Sequence, residues 1–154
     1  MNPQLKAMLD ELLRVARINL ERDGNLMPVA FLFSNGGLDI VGTPFRSDED
    51  KEVTVIMLRG MAREKKATAV AMLAEAWHAN LEPGQTLTEW DGTPVRKMKN
   101  RREVVQVYVE DQDGYWFGLA PITRDTGRPT FGQLEWHPMQ ERDARERFQK
   151  LLPV

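Results

Sequence analysis

The sequence predicts an α+β fold, in which one mostly antiparallel sheet of about five to six strands carries helices on its faces. Two observations point there. Asn35-Gly36-Gly37 and Asp113-Gly114 each lie between apolar runs, where a tight hairpin needs them. The remaining pattern runs helix, two strands, helix, strand, long loop, three strands, helix. Helices are segregated from runs of strands in this order, which suits α+β rather than a doubly wound α/β sheet. Folds of the roadblock, longin and profilin type share much of this layout, an analogy of element order only.

Asn2 followed by Pro3 reads as an N-cap with proline at the first helical position. Leu5, Met8, Leu9, Leu12, Leu13, Ala16 and Leu20 recur at three- and four-residue spacing, with Lys6, Asp10, Arg14, Arg17 and Glu21 opposite. Asp23-Gly24 ends this helix. Residues 27–33 and 38–41 form two paired strands, joined by a turn expected to hold positive φ at both central positions. Gly42-Thr43-Pro44 closes the second strand, and Ser47 with Asp48, Glu49 and Asp50 caps a second helix. Val53, Ile56, Met57, Gly60 and Met61 give that helix its spacing, and charge ends it near residues 64–66.

In residues 67–77, Val70, Met72, Ala74 and Ala76 alternate with Ala71, Leu73, Glu75 and Trp77. This reads as a strand buried on both faces. The alternative is one helix of about thirty residues, unusual without a cap in its middle. Periodicity is lost over 82–100, where Pro83-Gly84 and Asp91-Gly92-Thr93-Pro94 break the chain around Trp90. A loop of this length inside a compact domain is usually functional or mobile. Val104, Val105, Val107 and Val109 begin a β-branched strand, 115–122 returns, 130–136 is a final strand, and His137-Pro138 leads into a last helix with Ala144, Phe148, Leu151 and Leu152 on one side.

Composition narrows the function classes. The chain has 154 residues, 42% of them apolar and 29% charged, as expected of one soluble globular domain spanning 1–154. A net charge of −2 supplies no global attraction to nucleic acid or anionic lipid. The absence of cysteine excludes disulfides, thiolate zinc sites and cysteine nucleophiles, and suits a reducing cytoplasm. The charged residues scattered from Lys6 to Arg17 do not form a signal peptide, and no apolar run approaches the roughly 18 residues of a spanning helix. A cytoplasmic location, without membrane association, is therefore expected.

Glu75 is the strongest acid/base candidate. On a strand it shares a face with Trp77, and a carboxyl beneath an indole holds its proton more tightly, as a general acid must. A structural Glu75 paired with Arg101 or Arg102 is the stronger reading, because ion-pair networks perturb such groups as often. Arg101 and Glu103 share a face by alternation. Arg101 offers a bidentate fork to a carboxylate or phosphate, yet an internal ion pair bracing the loop explains both residues.

Arg96, Lys97, Lys99, Arg101 and Arg102 place five basic residues within seven positions, the only local run able to hold a phosphate backbone, with Trp90 available to stack on a base. The negative overall charge and the lack of a nucleic-acid motif favour a solvated loop instead. His78 and His137, the only histidines, stand 59 positions apart and form no metal signature, and no metal or cofactor is expected. Ser34 lies in a turn and Ser47 caps a helix, so neither resembles a nucleophile elbow. Tyr115-Trp116-Phe117 puts large rings on both faces of one strand, which means core on both sides or a second subunit on one.

Glu75-Ala76-Trp77, the proline-containing loop, and Arg101-Arg102-Glu103-Val104-Val105 together resemble a group of small uncharacterised bacterial and phage proteins. Those proteins share a segment ending in Glu-Ala-Trp and an Arg-x-Glu-Val strand, and Gly24-Asn25-Leu26-Met27-Pro28-Val29 is similar to their first strand. The resemblance covers 23–122, supports the strand reading of 67–77 and implies no activity. The departure is the loop, whose basic run is denser than the resemblance implies.

The function expected from these residues is a non-enzymatic cytoplasmic module that binds a partner protein or small ligand, as a homodimer. Its binding surface is expected among Trp77, Trp90, Arg96, Lys97, Lys99, Arg101 and Glu103. One alternative is a small hydrolase or lyase with Glu75 as acid or base and Arg101 holding an anion. Another is nucleic-acid binding through the basic loop 96–102.

Overall fold

The computed structural model describes residues 1–86, 89, 91–125, 127–139 and 150–153. Helix α1 spans Pro3–Asp23. The Asn2 side chain accepts the Leu5 N–H at 2.8 Å, and the Gly24 N–H donates to Leu20 O at the other end. Leu5, Leu9, Leu13, Ala16 and Leu20 face inward, as the spacing predicts, while Met8 is exposed. Strands β1 (Val29–Ser34) and β2 (Gly37–Gly42) form the expected hairpin. The positive φ falls at Gly37 (136°), not at Asn35 or Gly36. Gly114 repeats this device at 142° in the second hairpin. Both turns thus place glycine at the first residue of the returning strand, where a side chain would strain the backbone.

Helix α2 spans Asp48–Lys65, opened by Ser47 Oγ accepting the Asp50 N–H at 3.1 Å. Lys66, with φ of 51°, closes it. The end points agree with the sequence; the buried face does not. Thr54, Val55, Leu58 and Ala62 pack on the sheet, whereas Val53, Ile56 and Met57 are exposed at 65%, 69% and 40%. The helix carries two apolar stripes on opposite sides. The outer one has the larger side chains, so it dominates the spacing pattern.

Strand β3 (Ala69–His78) confirms the extended reading of 67–77. A long connection holding one 3₁₀ turn, Val95–Lys97, leads to β4 (Arg102–Asp111) and β5 (Gly114–Thr123). The single strand expected over 130–136 is two: β6 (Thr130–Phe131) and β7 (Glu135–Met139). Both pair with the free edge of β5, β6 at Ile122 and Thr123 and β7 from Tyr115 to Leu119. His137-Pro138 therefore lies within β7. Pro138 is tolerated because β7 is an edge strand and needs no outward donor there. Of the expected last helix, Ala144 and Phe148 lie outside the described residues, while Leu151 and Leu152 follow Lys150, whose φ is 58°, and are not helical.

The sheet order is β2-β1-β3-β4-β5, with β6 and β7 on the outer edge of β5 and every pairing antiparallel. α1 covers one face, packing on Phe31, Phe33, Ala71, Leu73, Val105, Val107 and Phe131. α2 covers the other with Ala30, Leu32, Val70 and Met72 beneath it, and Leu151 completes that layer beside Tyr108. The rings of Tyr115, Trp116 and Phe117 are half-buried. No helix among the described residues is long and apolar enough to cross a membrane.

The β5–β7 junction depends on Gly118. A Cβ there would meet the Trp136 ring at 3.0 Å and Leu134 Cδ2 at 2.8 Å. Gly118→Ala is expected to destabilise the protein by about 1–3 kcal/mol through overpacking against a rigid ring. Gly132→Ala, whose added methyl meets nothing within 4 Å, is expected to be near neutral. Urea unfolding of the two variants provides the comparison.

Candidate functional site

The residues singled out by the sequence gather at one end of the sheet, where β3 finishes, β4 starts and β5 finishes. Antiparallel register sets Glu75 opposite Val105 and Trp77 opposite Glu103. Alternation then puts Glu75, Trp77 and Glu103 on the face that α1 covers.

Their partners differ from expectation. Glu75 pairs with neither Arg101 nor Arg102. Its Oε1 accepts the Leu26 N–H at 2.6 Å, and its Oε2 lies 4.0 Å from Arg124. Glu103 takes a bidentate grip from Arg124, at 2.6 Å from Nε and 3.1 Å from Nη2. The same guanidinium donates from Nη1 to Gly24 O at 2.9 Å. Its bonds to Glu103 hold the Arg124 pKa above the ordinary arginine value. This network joins the end of α1, the chain entering β1, and strands β3, β4 and β5. It does structural work, tying the helix exit to three strands. The β4–β5 hairpin explains the arrangement, because it carries Arg124 back to the level where β4 begins.

Arg101 sits elsewhere. Its guanidinium carbon lies 5.4 Å from the centroid of the Trp77 ring, and its Nη1 donates to Met98 O. Trp77 is 46% exposed. Arg102 Nε donates to His78 Nδ1 at 3.3 Å. Partial burial, with the Arg102 charge added, lowers the His78 pKa, consistent with a ring nitrogen that accepts. Asn100 Nδ2 donates to Asn80 O at 2.7 Å and ties the two ends of the long connection together. Arg96, Lys97 and Lys99 are exposed. Trp90 lies outside the described residues.

Two clefts, of about 410 Å³ and 380 Å³, flank α1, and neither is lined by Glu75, Trp77 or Arg101. Sequence reasoning missed two residues of consequence. Arg124 belongs to a polar loop by composition, and only strand register brings it to Glu75 and Glu103. Glu110 is buried near the end of β4 and accepts the Leu151 and Leu152 N–H groups at 2.8 and 3.1 Å. Its signal was available: alternation places Glu110 on the Tyr108 face of an apolar strand.

Comparison with curated proteins and with solved structures finds no match to either. The family model described as bacteriophage lambda protein ea47 matches residues 1–146, beyond both ends of the 23–122 stretch that carried the sequence resemblance. With nearly its whole length matched, the chain belongs to the bacteriophage lambda protein ea47 family.

Proposed function

We propose that this chain is a non-enzymatic interaction module and that the partner it binds is a second copy of itself, docked along the outer face of α2. The observation that carries this reading is the outward stripe Val53, Ile56, Met57 and Gly60. It follows i, i+3, i+4, i+7 spacing, the pattern by which one helix seats against another. Val53 and Ile56 are more than three-fifths exposed, and a Cβ at Gly60 would meet nothing within 4 Å. A second backbone can approach closely there.

Charge chooses the partner. Glu49 and Glu52 flank one end of the stripe, while Arg59 and Arg63 flank the other. In an antiparallel pair, Glu49 of one copy meets Arg63 of the next. That pairing centres a two-fold axis at Ile56, as an isologous interface requires. A parallel pair would set like charges together.

A binding role is favoured over the hydrolase or lyase alternative by the state of Glu75. Its carboxylate is engaged by the Leu26 N–H and lies beside Arg124, and Arg101, the expected anion holder, is stacked on Trp77.

The chain has no cysteine, so one introduced thiol reports its own contacts. Ile56→Cys is expected to oxidise readily to a covalent dimer, since the two-fold axis brings the two thiols within bridging distance. Ile40→Cys, on the exposed β2 edge strand, is expected to stay monomeric under the same oxidant. The reverse pattern would place self-association at the sheet edge and contradict the α2 interface.

A further inference from the structure

We propose that the sheet end formed by Trp77, Arg101 and the basic segment 96–102 is a binding surface for single-stranded nucleic acid, a site separate from the α2 face. Three features carry it. First, positive charge is in excess there. Arg96, Lys97, Lys99, Arg101 and Arg102 are all exposed, and none forms an ion pair among the described residues. Second, nearby acids are turned to other work. Glu75 and Glu103 are taken by Arg124 and the Leu26 N–H, Asp91 accepts the Thr93 N–H at 2.8 Å, and Glu89 accepts the Thr86 N–H at 2.7 Å. At the sheet end the carboxylates of Glu75 and Glu103 are bonded inward, and along the connection five exposed cations outnumber the exposed acids Glu82, Glu89 and Asp91.

Third, an aromatic platform stands among the cations. Trp77 projects from β3 beyond the Glu75–Arg124 network, nearly half exposed, with the Arg101 guanidinium over its ring. An exposed indole with a stacked guanidinium is a flat surface on which unpaired bases stack, while the lysines follow the phosphates. The platform is held in place. Trp77 is paired in register with Glu103, and the Asn100–Asn80 bond closes the loop that carries the cations. A duplex keeps its base faces stacked internally and would use only the cations. The aromatic therefore argues for a single strand. This changes the balance drawn from composition, in which the basic run was a solvated loop and the stacking ring was Trp90.

The test is fluorescence anisotropy with a labelled oligothymidylate of about 15 nucleotides at low salt, alongside a duplex of equal length and heparin. Full-length protein is expected to bind the single strand more tightly than the duplex. Its log affinity should fall with log salt at a slope near −0.7 per phosphate neutralised. Lys97→Glu with Lys99→Glu is expected to abolish binding to all three probes. Trp77→Ala is expected to weaken the single strand about ten-fold or more while leaving heparin unchanged. Arg101→Ala, an exposed change, should weaken the single strand in the same direction and serves if Trp77→Ala fails to fold. Three results overturn the proposal: no binding at low salt, equal affinity for single strand and duplex, or stacking variants that bind the single strand as the unaltered protein does.

Discussion

Glu110→Ala is expected to lower the unfolding free energy by about 2–4 kcal/mol. Glu110 lies on β4, almost wholly buried, and its two carboxylate oxygens receive the N–H groups of Leu151 and Leu152. Arg59 Nε donates to Lys150 O at 3.0 Å, so α2 and β4 together hold residues 150–153 against the sheet. Removing the carboxylate leaves two routes. Either the N–H groups remain buried without acceptors, or the segment detaches and exposes Leu151, which is fully buried beside Tyr108 and Val70. The cheaper route sets the loss. Urea unfolding followed by circular dichroism measures it.

The same group gives a signed pH dependence. Burial pushes the Glu110 pKa above 4.5, and the N–H bonds from Leu151 and Leu152 offset only part of that rise. The folded protein then holds this proton more tightly than the unfolded chain does. Its contribution to stability is complete below the ordinary value of 4.5 and is lost as pH rises through the raised folded value. Glu110→Gln, which does not titrate, is expected to remove that decline. Glu11, Asp23 and Asp91 have lowered pKa values and give the opposite slope at more acid pH, but both proteins share them. The difference between the two stability–pH curves therefore isolates Glu110. Parallel curves would show that its proton is not linked to folding.

Leu58→Ala is expected to cost about 2–5 kcal/mol, whereas Ile56→Ala in dilute protein should change stability by no more than about 0.5 kcal/mol. The two residues stand two positions apart on α2. Leu58 is fully buried against β1 and β3, and Ile56 is more than two-thirds exposed. Equal losses would mean that α2 sits on the sheet by the other face, and the outer stripe would cease to be a surface.

That contrast shows where the sequence was legible. The span of α1 could be read from its cap, proline and stop, and its apolar stripe was right apart from Met8, which is exposed. β3 and β4 were legible from alternation and β-branched content. The ends of α2 were visible in Ser47 and in the charges near Lys65, but not its orientation. Its inner stripe is built from Thr54, Val55, Leu58 and Ala62, only two of them large apolar residues, packed on Leu32 and Met72 of the sheet. Size favoured the stripe that faces outward. β6 and β7 read as one strand because three intervening residues break the pairing without a strong turn signal.

Around Glu75, alternation correctly put Trp77 on its face, but Glu103 reaches that face only through strand register, and the partners of Glu75 were out of reach. Leu26 and Arg124 lie 49 positions away on either side, and only tertiary register brings them together. Local spacing favoured Arg101, which lies just before β4 and over the Trp77 ring instead.

The most direct measurement of self-association is sedimentation velocity over a concentration series, comparing the unaltered protein with Ile56→Glu. The unaltered protein is expected to sediment as a dimer at micromolar concentration. Ile56→Glu should sediment as a monomer with an unchanged circular dichroism spectrum, since the new charge lies on a solvent-facing stripe. A monomer at every concentration, or a dimer that persists in Ile56→Glu, would contradict docking through α2.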